Sequence, residues 1–282
     1  RLGFSEVAVR LADALAAPSS NGGLVVGLEG KWGSGKSSLL FLVEAELIKL
    51  GKEKRLTVVP FRPWLIGQRD ALLASLFNEL TAKIDSVEWE AGDASGASLT
   101  KAKEATASLR QFAAKLKVAG EIAEATGELG IPGAGFLGKG LKAISLLGKE
   151  KVDEPSLAAL KSKLAERLKE LNHRFIVTVD DVDRLEPSEA AELLRLVRSV
   201  ADFPNVTYVL CFDREILAHS IEVGVNVLDG AAYLEKIIQM TLIVPTPEPF
   251  QLRSWFAEDL RKFASVNTDE GAERLRSVVD YE

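Results

Sequence analysis

Gly30-Lys31-Trp32-Gly33-Ser34-Gly35-Lys36-Ser37 fits the pattern G-x-x-x-x-G-K-[ST], and its setting decides how the chain is read. An apolar run before it, Leu24-Val25-Val26-Gly27-Leu28, reads as a buried strand, and the segment after it, Ser38 to Leu47, reads as a helix. A glycine-rich loop between strand and helix can turn its backbone N–H groups toward a phosphate chain. The glycines permit backbone angles and a close approach that a side chain would block. The phosphates are expected against the loop from Gly30 through Trp32, Gly33, Ser34 and Gly35 to Ser38. Lys36 is expected to reach the β- and γ-phosphates, and the Ser37 hydroxyl to ligate Mg²⁺.

The chain has 282 residues, 47% of them hydrophobic, enough for one α/β core with an elaboration. With 41 acidic and 35 basic residues its net charge is −6, so a dominant nucleic-acid surface is not indicated. Cys211 is the single cysteine; it rules out an intrachain disulfide framework and fits a reducing compartment. It lies in an apolar run and reads as a buried core thiol rather than a nucleophile. With His173 and His219 the only histidines, a His/Cys zinc site is not expected. No signal peptide is visible, and no stretch approaches the roughly 20 apolar residues of a membrane-spanning helix. A cytoplasmic location is expected. The chain opens at Arg1 and stops at Tyr281-Glu282 within a helical pattern, which reads as a domain cut from a longer protein.

Working outward, Phe4 to Ala17 reads as a helix with Ser5 as N-cap and Val7, Leu11 and Leu15 on one face. The helix after the loop should end near Gly51, a C′ glycine. Leu56 to Phe61 is a second strand, placed at an edge by Pro60. Ala71 to Ile84 is helical. From about Asp85 to Asn172 the chain is an insertion: an acidic linker (Glu88 to Thr100), an Ala- and Lys-rich helix (Lys101 to Ala125) and an amphipathic helix (Pro155 to Leu171). The uncharged run Leu129 to Gly138 between the two helices could lie on a membrane surface, with the chain peripheral to the inner face, or on a partner; a turn packing on its own domain is the expectation. Arg174 to Val179, Val206 to Phe212 and Thr241 to Val244 read as further strands, with a helix over Glu189 to Ala201. Strands alternating with helices imply a doubly wound, mainly parallel α/β sheet. The expected divisions are 1–84 and 173–245 as the two parts of the core, 85–172 as the helical insertion and 246–282 as the start of a helical C-terminal region.

Ligands in such sheets sit at the carboxyl ends of the strands, where the loop, Asp180, Asp181 and Asp213 all fall. A phosphate-bound Mg²⁺ needs hard oxygen ligands and keeps several waters. Asp180 fits that need, and Asp181 is placed to orient or deprotonate an attacking water, so Phe175 to Asp181 reads as a Walker B element. Arg184 would sense the γ-phosphate, act as an arginine finger on a neighbouring subunit, or pair within the Asp-rich turn. Asp213 is the candidate sensor at the end of the following strand. Arg195 and Arg198 read as exposed charges, Trp64 as a packing anchor and Trp32 as a side chain packed beside the loop. The nearest match to a guanine-reading [NT]-K-x-D motif, Ala82-Lys83-Ile84-Asp85, lacks its first residue and precedes the carboxylate strand, so ATP is the favoured nucleotide.

Several elements together resemble the KAP family of P-loop NTPases: the loop at 30–37, Phe61-Arg62-Pro63-Trp64, Asp180-Asp181-Val182-Asp183-Arg184, Tyr208 to Asp213, and Tyr233-Leu234-Glu235-Lys236-Ile237-Ile238-Gln239. The opening Arg1-Leu2-Gly3-Phe4 is similar too. The resemblance implies an ATPase of the additional-strand class with strand order 5-1-4-3-2, a role for Lys236 near the nucleotide or a neighbouring subunit, and a bacterial anti-phage context. Many members carry transmembrane helices between the Walker A and B elements, whereas the insertion here is charged, which implies a soluble member. Three functions follow in order: a Mg²⁺-dependent ATPase driving a conformational switch, a nucleotide-gated scaffold that assembles and awaits an arginine from a second copy or a partner protein, and a small-molecule kinase.

Overall fold

The computed structural model describes residues 3–17, 23–65, 69–87, 97–125, 155–200, 202–245 and 249–266. The elements are α1 (Phe4–Ala16), β1 (Leu24–Glu29), α2 (Lys36–Lys54), β2 (Leu56–Phe61), α3 (Arg69–Ser86), α4 (Ala97–Ala125), α5 (Leu157–Glu170), β3 (Arg174–Val179), α6 (Pro187–Val200), β4 (Val206–Phe212), α7 (Arg214–Val225), α8 (Gly230–Glu235), β5 (Met240–Ile243) and α9 (Pro249–Val266). Short 3₁₀ turns cover Pro63–Leu65 and Val182–Arg184. The strands form one five-stranded sheet in the order β2-β3-β4-β1-β5. Every pairing in it is parallel. This is the expected order 5-1-4-3-2 read from the other edge.

Strands β1, β3 and β4 are buried almost throughout, as interior strands of a parallel sheet covered on both faces should be. That is why each is a near-continuous apolar run rather than an alternating one. Strand β2 is an edge, and the exposed residue in it is Pro60, which has no N–H to leave unpaired. Cys211 is fully buried in β4, and burial pushes its thiol pKa well up, as an inert core cysteine requires.

The helices of the insertion join the main core. Leu157, Leu160, Leu164 and Leu168 form the buried stripe of α5, whose N-cap Ser156 accepts a bond from the Ala159 N–H at 3.2 Å. Phe112 of α4 meets Phe77 of α3 and Phe203 edge-on, with ring centroids 5.9 and 5.7 Å away. The chain divides into two compact units, residues 8–244, which hold the whole sheet, and residues 1–7 with 245–282, which include α9. Among the described residues no helix is long and apolar enough to cross a membrane. The apolar run at 129–138 lies outside the described residues.

Three local expectations are corrected. Ser5 lies inside α1, which follows Gly3 at φ +74°; the Gly3 carbonyl accepts from the Val7 N–H, and the buried face runs Ala8, Ala12 and Leu15, with Leu11 half-buried. Helix α2 runs through Gly51 to Lys54, and the left-handed position that ends it is held by Arg55 at φ 50°. A tertiary bond accounts for the second shift: the Arg55 carbonyl accepts from the Arg174 N–H at 2.9 Å at the start of β3. Arg174 also donates to the carbonyls of Ala16 and Ala17 at the end of α1 and of Lys54 at the end of α2, placing a cation where helix carbonyls lack partners. Helix α4 begins at Ala97, so the end of the proposed linker is helical, while residues 88–96 lie outside the described residues.

His173, buried before β3, has Nε2 2.8 Å from the Thr57 hydroxyl and its ring against Phe175. Burial first, then the nearby Arg55 and Arg174 charges, lower its pKa from 6.5 to about 4. Below pH 6.5 the unfolded chain takes up this proton while the folded chain does not until about pH 4. The contribution is therefore complete above pH 6.5 and is lost as the pH falls toward 4. Urea unfolding across that window should show His173→Gln losing less stability on acidification than the native sequence; identical slopes would contradict the assignment.

Candidate functional site

The ends of β1, β4 and β3 lie side by side, with Glu29 opposite Phe212 and Val179 opposite Leu210. The loop leaving β1 is tied to β4 at once, because the Gly30 N–H donates to the Phe212 carbonyl at 3.2 Å. Gly33 and Gly35 have φ of +81° and +90°, in the left-handed region that favours glycine. Gly35 caps α2 with no side-chain hydrogen bond, leaving that helix N-terminus to whatever enters the loop. Gly30 is needed for space: a Cβ there would stand 2.4 Å from Ser34 Oγ. Ser34 Oγ is itself buried, with no hydrogen-bond partner among the described residues, a polar atom that fits a phosphate-binding loop.

Lys36 is 8% exposed. Its ammonium donates to the carbonyls of Gly30 at 2.9 Å and Lys31 at 3.4 Å, and lies 3.4 Å from Asp183 Oδ2. The Ser37 hydroxyl donates to Asp180 Oδ1 at 3.2 Å, joining the start of α2 to the carboxylate that follows β3. These two oxygens could hold a divalent cation of the Mg²⁺ type, which takes one or two protein ligands and keeps water on the rest. Asp180 Oδ1 also accepts from the Asp181 N–H at 2.9 Å.

Asp181 sits at φ 56°, an unusual backbone angle for a residue with a side chain. Its Oδ1 is 2.8 Å from Arg184 Nε, one turn of the 3₁₀ segment away. Burial, then the adjacent Asp180 carboxylate, raise its pKa from the ordinary carboxylate value, with Arg184 acting in the opposite sense. The Arg184 guanidinium is half exposed and stands 6.0 Å from the Trp64 ring centroid. Of the alternatives for Arg184, the pair within the Asp-rich turn is the one this geometry contains.

Asp213 is buried, and its Oδ1 accepts from the Glu215 and Ile216 N–H groups at 3.1 and 3.5 Å, capping α7. Its own N–H donates to Asp183 Oδ2 at 2.9 Å. Trp32, expected to pack beside the loop, is 80% exposed, and Trp64, expected as a packing anchor, is 45% exposed with Arg184 over its ring. Ser38 lies exposed on α2. Lys236 is exposed at the end of α8, and among the described residues no hydrogen bond or ion pair joins its side chain to the loop. Arg198 is exposed as expected, whereas Arg195 is half-buried, 3.7 Å from Glu192. The Ala82 to Asp85 stretch lies within α3, with Ile84 in the core.

Two features escaped the sequence reading. Asp183 is the carboxylate that meets Lys36, and its signal was the third acid of Asp180-Asp181-Val182-Asp183-Arg184. The other is a polar cluster beneath the site. Glu44 of α2, almost buried, takes the Arg62 guanidinium at 3.1 and 3.4 Å and the Thr178 hydroxyl of β3. Arg62 follows β2, so this cluster ties three elements behind the loop.

A glycine loop entering a helix, a buried lysine and strand-end carboxylates on a parallel sheet with β4 between β1 and β3 define a P-loop nucleotide-binding domain. The family model described as the KAP family P-loop domain matches residues 4–280, and the chain belongs to that family. It is 35% identical over 268 residues to the phage T7 exclusion protein of Escherichia coli (strain K12), an overlap covering 92% of this chain and 35% of that protein. The chain thus spans about a third of that relative's length. Among solved structures, the ORC2 protein of Aeropyrum pernix in its ADPNP-ADP complexes is 16% identical with a TM-score of 0.41, over 91% of this chain and 50% of that one. The ORC1 protein of Aeropyrum pernix in complex with DNA is 13% identical with a TM-score of 0.34, over 85% and 44%.

Arg62→Ala would leave the Glu44 carboxylate, 10% exposed, without its cation. The expected loss is about 1–3 kcal/mol in urea unfolding. Arg62→Lys should recover only part of it, since an ammonium has no second nitrogen to hold the Phe61 carbonyl, which Arg62 Nη1 reaches at 3.3 Å while Nη2 holds Glu44. Unchanged stability in Arg62→Ala would contradict the buttress.

Proposed function

We propose that this domain binds ATP with Mg²⁺ and hydrolyses it to ADP and phosphate, driving a conformational or assembly switch in a longer protein. The observation that carries the reading is the Ser37–Asp180 bond at 3.2 Å, which brings the loop's hydroxyl and the strand-end carboxylate together as a cation site next to Lys36. The loop amides and Lys36 hold the phosphate oxygens, and Ser37 and Asp180 hold the metal. Mg²⁺, when bound, draws charge from the phosphate oxygens it touches. Asp181 orients the attacking water and accepts its proton, a task suited by a carboxyl whose pKa is raised. Asp213 would act through its backbone and its cap of α7, and Lys236 at the edge of the site or toward a second copy.

The Asp181–Arg184 pair also favours a second reading. An arginine that engages the base holds turnover down until a second copy or a partner protein draws it away or supplies another, so the domain would act as a nucleotide-gated scaffold with little intrinsic hydrolysis. A role in excluding phages is supported by the name of the Escherichia coli relative.

ATP-dependent phosphate release tests the proposal. Lys36→Ala should lose both binding and release. Asp181→Asn should keep binding and lose release by about 10²- to 10⁴-fold, the scale of general base catalysis. A native rate that rises faster than protein concentration would mark an arginine supplied by a second copy. Release undiminished in Asp181→Asn would exclude Asp181 as the base.

A further inference from the structure

An ammonium has three hydrogens to donate. Lys36 donates to two carbonyls, those of Gly30 and Lys31, and is ion-paired with Asp183 Oδ2 at 3.4 Å. A phosphate oxygen that approaches Lys36 therefore competes with these groups for its charge. The two carbonyls belong to the loop itself and move with it. Asp183 belongs to the turn after β3, and its side chain is only 6% exposed. The same Oδ2 accepts the Asp213 N–H at 2.9 Å, and Asp213 caps the first turn of α7. Arg214, the first residue of α7, continues the connection, 2.6 Å from Glu235 of α8 and 3.8 Å from Glu29 at the end of β1. One carboxylate oxygen thus faces both the phosphate-binding lysine and the entry to α7.

We infer that Asp183 is a positioning residue that competes with the nucleotide's phosphates for the Lys36 ammonium and passes the outcome to the first turn of α7. The inference rests on the reading of the loop as a nucleotide site. When a phosphate takes Lys36, the buried Asp183 carboxylate loses its cation, and an unpaired buried charge is costly. The donor left to it is the Asp213 N–H, so that bond tightens and the α7 cap is held more firmly. A ligand shifts such an arrangement only through interactions that differ between its two forms. Here that difference is the partner of Lys36.

The test is ATP titration of the native chain and of Asp183→Asn, combined with amide hydrogen exchange at two places, the loop at 33–37 and the α7 start at 213–217. Asn keeps an oxygen that can accept from the Asp213 N–H and removes the charge that competes for Lys36. ATP should bind Asp183→Asn roughly tenfold more tightly, the scale of one charge-assisted bond. In the native chain ATP should slow exchange at both places; in the variant it should slow exchange in the loop alone. Simple relief of charge repulsion would tighten binding without uncoupling α7, and that result overturns the inference. So does unchanged affinity. If Asp183→Asn fails to fold, Asp183→Ser, which also offers an uncharged oxygen, is read by the same criteria. No binding by the native chain would instead defeat the nucleotide reading of the loop.

Discussion

Lys36 is a cation almost entirely removed from water, and such a charge persists in a fold only when opposite charge and hydrogen-bond acceptors surround it. Its acceptors come from two distant parts of the chain, the loop after β1 and the turn after β3. Those parts meet because parallel pairing sets β4 between β1 and β3, with the ends of β1 and β4 level and β3 ending two residues short of them, so that the turn after β3 comes beside the loop. The sheet order is therefore the physical precondition of the site. Insert β4 elsewhere, and Asp180 and Asp183 would no longer face the start of α2.

The surroundings hold this arrangement from behind. Glu44 receives Arg62 and Thr178, locking α2 to the ends of β2 and β3. Arg174 closes the opposite end of the sheet by collecting carbonyls from the ends of α1 and α2. Between these two polar clamps the interior is apolar, running from the leucine stripe of α5 through the Phe77, Phe112 and Phe203 rings to the strands. The loop's glycines adopt their left-handed angles without strain, but Asp181 in the turn after β3 does not, and the clamps and core on both sides supply the rigidity that holds it.

Much of this was legible in the sequence, and the reasons are physical. Strands β1, β3 and β4 are buried on both faces, so their composition alone marks them, and Pro60 marked β2 as an edge. The loop was legible because its glycines answer to backbone angles and close approach rather than to any distant partner. The strand order came from a family resemblance; periodicity carries no information about which strands are neighbours. What could not be read depends on contacts made across the fold. Arg55 ends α2 in place of Gly51 because Arg174 bonds its carbonyl. That Asp213 also caps α7 was not legible, because the cap is a feature of backbone geometry. Nothing in the helical pattern of α2 marks Glu44 as buried; Arg62 and Thr178, from other elements, are the partners that explain it.

The central claim is that Ser37 and Asp180 form one cation site serving a nucleotide held by the loop. The most direct measurement is calorimetric titration of ATP with and without Mg²⁺, in the native chain and in Asp180→Asn. The account predicts that Mg²⁺ tightens ATP binding in the native chain and that most of this gain disappears in Asp180→Asn. An equal gain in both would contradict it.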